Sequence, residues 1–325
     1  MKTRFALAGI AAVFFSAPVL AQATDYPSKP VTIVTPFAAG SGPDAVLRLV
    51  SDKLSKLWNQ RVVIDNRPGG AGFIAIEQAT RAAPDGYTLL QLDSEHLAAL
   101  PHLYKSRNFK PLQTFDPVAS LFRTPFFVAV PTESKWKSMA DLVADAKARP
   151  DALSYGSWGI GSPGHLGAQQ LEAMAGGLRM QHVPYKEVSQ LYASVGSGDI
   201  AWAFASLPSS AGIYKAGKLR YIAVAAPRRV PQMPDVPTIG ESGGPAGLEV
   251  NSFVSLVAPK GVPAAIKAKI NADMAKVIAD PDIRARFDTF AFEPLAWSPE
   301  EIARNVEAKS KVYGELVVRG NISLD

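Results

Sequence analysis

No cysteine occurs in the 325 residues of this chain. The absence excludes thiol nucleophiles, thiolate-ligated zinc and iron–sulfur centres, and any disulfide framework. Without covalent staples the cores must hold by packing alone, and about 300 residues suffice for two domains of ordinary size. Histidine is scarce as well. The four present, His96, His102, His165 and His182, show no His-Glu-x-x-His spacing, so no metal centre is expected. Neither Ser41 nor Ser162, the serines of the two glycine-rich loops, sits in the Gly-x-Ser-x-Gly spacing of a serine-hydrolase elbow, and Gly-x-x-x-x-Gly-Lys-Ser/Thr, the phosphate loop of nucleotide triphosphatases, does not occur. Basic residues are scattered singly, Arg228-Arg229 being the densest pair, so there is no nucleic-acid footprint.

What is present begins with an export signal. Met1-Lys-Thr-Arg4 is basic, Phe5 to Leu20 is apolar, and Ala21-Gln-Ala23 is a small-residue cleavage pattern. Together they predict a secretory leader over 1–23 that is removed, leaving an exported, periplasmic protein. The apolar run is short for an uncleaved membrane anchor. Removing Lys2 and Arg4 lowers the formal charge from +5 to +3, a weak excess that leans toward an anionic solute.

Beyond the leader, strand and helix patterns alternate. Strands are expected at Val31–Thr35, Arg61–Asp65, Tyr87–Leu92, Phe126–Val130, Leu153–Tyr155 and Met180–Val183. Helices are expected at 45–58, 73–81, 139–148 and 164–175, with two more patterns over 263–287 and 299–318. Ser298-Pro-Glu-Glu301 is a well-formed start for the last. Alternation of this kind predicts α/β layers with mostly parallel sheets. The apolar runs Phe126–Val130 and Phe253–Pro259 are expected to cross between lobes as a hinge pair. The organisation is then lobe one over 24–125, lobe two over 126–250, and a return that completes lobe one over 251–325.

Two distant stretches share one chemical build. Val31–Thr35 runs into Pro36-Phe-Ala-Ala-Gly-Ser-Gly-Pro-Asp44 and a helix; Leu153–Tyr155 runs into Gly156-Ser-Trp-Gly-Ile-Gly-Ser-Pro-Gly-His165 and another. A helix N-terminus carries unpaired N–H groups and the positive end of the helix dipole, and glycines let a ligand approach the backbone. Two such receptors predict an acidic ligand held between two lobes. The second loop also matches Gly-x-Gly-x-x-Gly at Gly159, Gly161 and Gly164. A dinucleotide site would need an acid about 20 residues on, and Arg179-Met-Gln-His-Val-Pro-Tyr185 offers none. No cofactor is expected.

Tyr26-Pro-Ser-Lys-Pro-Val-Thr-Ile-Val-Thr-Pro-Phe37, Asn66-Arg-Pro-Gly-Gly-Ala-Gly72, Pro84-Asp-Gly-Tyr-Thr-Leu89, His182-Val-Pro-Tyr-Lys186, Gly217-Lys-Leu-Arg220 and Pro234-Asp-Val-Pro-Thr238 follow one another in a specific order. In that order they resemble the exported receptors of the tripartite tricarboxylate transporter family, the Bug-type binding proteins, over nearly all of the chain after the leader. The resemblance implies a two-lobed clam-shell of the periplasmic-binding-protein type. It also implies a non-catalytic role, a small organic carboxylate as ligand, and integral-membrane permease subunits as partners; a monomer is expected. This chain departs from the family's usual Pro-Phe-Pro-Pro-Gly-Gly with Pro36-Phe-Ala-Ala-Gly-Ser41. It also carries Ala205-Ser206 where many members have Asp or Asn, which disfavours an amine-bearing ligand, and Glu187 where Gly is usual.

The candidate ligand residues are Phe37, Ala39, Gly40, Ser41, Gly42 and Asp44 on the first loop, and Ser157, Trp158, Gly161, Ser162 and His165 on the second. Ser94 and His96 at the end of the third strand, Ser206 in lobe two and Phe253 at the hinge complete the set. For Asp44 a structural role is favoured, since a bare carboxylate would repel an anion. Trp158 is unusual in a Gly/Ser loop and suggests stacking on an aromatic ligand, hence a terephthalate-like dicarboxylate. The competing readings are a secreted hydrolase using Ser162 with His165, and a sensor subunit that presents its liganded form to a partner.

Overall fold

The computed structural model describes residues 25–325, so the leader expected over 1–23 lies outside the described residues. The chain opens with β1 (Val31–Thr35), α1 (Gly42–Trp58), β2 (Val62–Asn66), α2 (Phe73–Thr80) and β3 (Thr88–Asp93). β2 and β3 flank β1 in parallel. α1 forms because Val46, Leu47, Val50, Leu54 and Trp58 recur on one face and are buried together, with Pro43 in its first turn and left-handed Asn59 closing it. Short helices α3 (Ser94–Ala98), α4 (Leu100–Leu103) and α5 (Pro111–Thr114) lead into β4 (Phe115–Pro125).

From β4 the chain passes through Phe126 into a second sheet. Its elements are β5 (Phe127–Pro131), α6 (Met139–Ala148), β6 (Ser154–Ser157), α7 (Pro163–Met174) and β7 (Gln181–Pro184), followed by α8 (Val188–Ser197), β8 (Trp202–Ala205), α9 (Leu207–Lys215) and β9 (Leu219–Val224). The chain then returns to the first sheet as β10 (Asn251–Pro259), α10 (Ala264–Ile278), α11 (Pro281–Phe290), β11 (Glu293–Pro294) and α12 (Pro299–Arg319). The strand orders are β11-β4-β10-β3-β1-β2 and β7-β6-β8-β5-β9.

Each sheet is mixed rather than mostly parallel. β10 is antiparallel to both β3 and β4, and β5 is antiparallel to β8 and β9. The cause is the double crossing: a strand that returns beside the one that left must run against it. The run Phe253–Pro259, expected at the crossing, lies inside the first sheet. Of the other expected run, Phe126–Val130, all but Phe126 lies in β5 of the second sheet, and the crossings are at Pro125–Phe126 and Val250–Asn251. There Phe126 N–H donates to the Val250 carbonyl (3.2 Å), Ala225 N–H to that of Phe126 (2.8 Å), and Val250 N–H to that of Ala225 (3.0 Å).

Both faces of both sheets are covered by helices. On the first sheet α1, α10 and α11 bury one face around Leu47, Phe122, Leu256 and Phe287, and α2, α3 and α12 bury the other around Ile76, Leu92 and Ile302. The helical pattern expected over 263–287 is broken in two, because Asp280 accepts the Asp282 N–H and Pro281 starts a new helix. The Ser298–Glu301 capping box forms reciprocally, Glu301 N–H to Ser298 Oγ at 3.2 Å and Ser298 N–H to Glu301 Oε2 at 2.8 Å. On one flank the two halves touch: Ala98, Leu103, Tyr313, Leu316 and Val317 of the first enclose Leu166 of α7 in one apolar cluster.

Candidate functional site

Three helix starts face one cleft. At the first, β1 ends on Thr35, whose hydroxyl donates to Gln91 Oε1 (2.7 Å) and accepts the Phe37 N–H (3.2 Å). Ser41 then takes the N-cap position of α1 in extended conformation, yet its side chain makes no capping bond and its Oγ is buried without a partner. Bracing falls to Asp44, which is fully buried and accepts from Gly40 N–H (2.7 Å), Asn66 Nδ2 (2.8 Å) and Arg48 Nε (2.9 Å). Burial alone would raise its carboxyl, but the hydrogen bonds from Arg48, Asn66 and Gly40 outweigh it and hold the group below the ordinary carboxylate range.

The second start is built the same way and wired differently. Ser162 N-caps α7, its Oγ accepting the His165 N–H (3.4 Å) and donating to the Gly159 carbonyl (2.7 Å). Ser157 Oγ sits 2.7 Å from His182 Nε2 and accepts the Gly159 N–H at 3.1 Å. His165 is buried, accepts the Gly161 N–H on Nδ1 (3.1 Å) and stacks on His182 with centroids 4.0 Å apart. Burial, with His182 adding to it, pushes His165 down to about 3, and burial pushes His182 down to about 4. Both rings are neutral at pH 7. The pair needed for hydrolysis is not made, since the Ser162 proton goes to a carbonyl and the His165 ring faces a backbone N–H.

The third start is α9, where Ser206 takes the N-cap position, Pro208 sits in the first turn and the two hydroxyls of Ser206 and Ser209 lie 2.7 Å apart. Sequence reading recovers Ser206 but not the helix behind it. The signal was there: Ser206-Leu-Pro208 repeats the Ser-x-Pro of Ser41-Gly-Pro43. In all three the serine is extended and the proline falls where a helix N–H would be unpaired anyway. The remaining first-turn N–H groups and the dipole make each start a receptor for negative charge.

Between them lies a cleft of about 680 Å³. Phe37, Phe126, Trp158, Phe290 and Phe292 wall it, with Val188 and Val254 between the rings. Trp158 lies 5.1 Å from Phe126, and Phe292 is held in place by stacking on Phe122 at 4.4 Å. Among the described residues that line it there is no Lys, Arg or His, and Asp93 is the one charged side chain. The polar groups the cleft offers are backbone N–H groups and hydroxyls, with no cationic side chain on its wall.

The family model "Tripartite tricarboxylate transporter family receptor" matches residues 46–322. The chain belongs to this family. A UPF0065 protein encoded in the gbd 5' region of Cupriavidus necator is 33% identical over 304 residues, covering 92% of this chain and 91% of that one. An R. palustris protein solved with adipate shares 31% identity with a TM-score of 0.80, covering 92% of this chain and 100% of its own. MatC from Rhodopseudomonas palustris, solved with bound malate, shares 26% identity with a TM-score of 0.75, covering 90% and 100%. The fold is that of periplasmic binding proteins, α/β with two helix-flanked sheets, and the family's members are solute-binding receptors.

In this receptor Phe37, Gly40, Ser41, Gly42, Trp158, Ser162 and Ser206 line the cleft together. The other candidates do not, each for a visible reason. Ala39 is exposed on the loop; Asp44, Ser157 and His165 are consumed by the internal bonds just described. Gly161 has a positive φ and gives its missing Cβ space to Leu103 of α4. Ser94 is fully buried, donating to Glu95 Oε1 (3.0 Å) and accepting the Phe253 N–H (3.3 Å). His96 sits behind the wall, edge-on to Phe37 with its Nδ1 2.5 Å from Asp93 Oδ1. Phe253 packs edge-on against Trp297 and faces a smaller cavity of about 250 Å³ on the far side of the crossing. Sequence reading missed Asp93, Thr124, Phe126, Ser209, Phe290 and Phe292, which come from strand ends, from α9, and from the end of α11 and the residues just after it.

Proposed function

We propose that this receptor captures a small organic carboxylate in the cleft between its lobes and delivers it to the membrane subunits of a tripartite permease, with an aromatic dicarboxylate of the terephthalate type as preferred ligand. The observation that carries this is the pairing of three anion-receiving helix starts with walls of five aromatic side chains. Rings fill such a space with favourable edge and face contacts, worth about 0.5–1.5 kcal/mol per pair beyond area burial. The carboxylates find N–H groups at the ends. Relatives solved with adipate and malate support the carboxylate class. The protein acts in the periplasm as a monomer after its leader is removed, and it does no chemistry on its ligand.

Capture proceeds by closure about the two crossing segments at Pro125–Phe126 and Val250–Asn251, the only connections between the sheets among the described residues. Calorimetry and thermal shift with terephthalate, adipate, malate, glucose and lysine test the ligand class, and small-angle scattering with and without ligand tests closure. The net-anionic carboxylates raise the melting temperature and glucose and cationic lysine do not; a glucose response with none from any anionic carboxylate overturns the reading. Trp158→Ala weakens terephthalate by about 1 kcal/mol and spares adipate. Equal losses for both would place the indole in the packing beneath the loop.

A further inference from the structure

The one charge on the cleft wall has the wrong sign for a carboxylate receptor. Asp93 ends β3 and caps α3, its Oδ1 accepting the His96 N–H (2.9 Å) and facing His96 Nδ1 (2.5 Å). No side chain of the described residues donates to its Oδ2, and the one further donor that bears on the carboxylate is the Glu95 N–H at the start of α3. The side chain is 17% exposed and lines the cleft, so water reaches it until a ligand enters. Burial would raise this carboxyl, but the His96 charge and hydrogen bonds outweigh that and keep it ionised, while Asp93 in turn raises His96. The neighbouring Ser252 cannot help, because its hydroxyl is committed to Glu95. Glu95 itself is enclosed by Ser94, Tyr313 and Lys309 and takes no part in the cleft.

A ligand that displaces this water leaves Asp93 Oδ2 with no donor beyond the Glu95 N–H unless the ligand itself supplies one. A carboxylate oxygen stripped of its water and left under-paired is costly, and the cost falls on the ligand that fails to satisfy it. From this we infer that Asp93 is a specificity-determining acceptor, selecting carboxylates that carry a hydroxyl or amino hydrogen-bond donor beside the apolar body. The inference rests on the carboxylate reading above and sharpens it. It also moves the acidic determinant from the end of β8, where Ala205 and Ser206 stand, to the end of β3 in the other lobe.

The test is calorimetry on the mature chain with two matched sets: terephthalate against 2-hydroxy- and 2-aminoterephthalate, and succinate against malate and aspartate. The donor-bearing members bind at least roughly tenfold more tightly than their parents, the discrimination expected of a site with a buried acceptor to fill. In Asp93→Ala that ratio falls toward one. Asp93→Asn retains the α3 cap, and in it the preference for aspartate over succinate is lost first because the negative charge is gone. The malate and aspartate arms separate a neutral hydroxyl from an ammonium as the favoured donor. Parents and derivatives that bind alike, or a preference unchanged in both variants, overturn the inference and leave the carboxylate reading standing. No binding by any of the six compounds overturns both.

Discussion

The two glycine- and serine-rich loops have nearly the same sequence build and opposite wiring. Loop one spends a carboxylate, Asp44, on holding its shape, and so leaves the Ser41 hydroxyl unpartnered at the helix start. Loop two spends its own hydroxyls and imidazole on holding its shape, through Ser157, Ser162 and His165, with His182 of β7 meeting Ser157. What loop two brings to the cleft wall is therefore the Trp158 ring and backbone, while loop one holds a buried, unpartnered hydroxyl there. Similar motifs thus differ in what they bring to the wall: a serine hydroxyl at the first helix start and an indole ring at the second.

Acid separates the two loops by the largest margin. His165 and His182 are depressed in the fold, so below pH 6.5 the unfolded chain takes up protons that the folded chain refuses. Their contribution is complete above about pH 6.5 and is lost as pH falls toward about 4 and 3. This amounts to on the order of 3 kcal/mol each by pH 4. Asp44 is a depressed carboxylate, so its contribution is intact above its unfolded value and is lost only at lower pH still. Denaturant titrations at pH 7, 5.5 and 4 check this, and His182→Gln reduces the slope by about half; a stability curve flat from pH 7 to 4 breaks the contrast.

Asp44→Ala comes next, removing three or more accepted bonds from loop one at about 2–4 kcal/mol of stability, read from chemical denaturation at pH 7. Serine truncation sharpens the comparison most finely. Ser41→Ala leaves the melting temperature unchanged, since no capping bond is lost, and costs about 1–3 kcal/mol of carboxylate affinity. Ser162→Ala does the reverse, costing about 1 kcal/mol of stability through the lost cap with affinity nearly unchanged. Calorimetry and melting curves on the pair decide; matching profiles for the two would mean that the wiring difference has no bearing on binding.

Much of this fold was legible because its strands are short apolar runs and its helices are strongly periodic: β1 and α6 fall where the sequence puts them. β4 was not, because Asp116-Pro117 and Arg123-Thr124-Pro125 interrupt its apolar pattern, and its pairing comes from β10, some 130 residues away. α9 was hidden by Leu207-Pro-Ser-Ser-Ala-Gly212, a loop-like composition held helical in part by Ser210 bonding back to the Ser206 carbonyl and meeting the Tyr221 hydroxyl. For the site, local sequence identified which segments form the helix starts. It could not tell which serine hydroxyl would be consumed, since that depends on His182, Asn66 and Arg48 from other elements. Asp93 and the Phe290–Phe292 wall reach the cleft only through tertiary packing.

The insertion of β10 between β3 and β4 has a consequence for how the molecule assembles. Every strand of the second sheet lies within residues 127–224, so that sheet can complete itself once this stretch of chain is made. The first sheet cannot. Its two halves, β2-β1-β3 and β4, stay as separate open edges until the strand that joins them arrives from beyond residue 250. Such long-range pairing forms slowly and leaves edges exposed to other chains meanwhile. In a polypeptide made from its N-terminus, the half that is synthesised first is the half that finishes folding last, and truncations that spare the cleft residues of lobe one but remove β10 would still leave that lobe unbuilt.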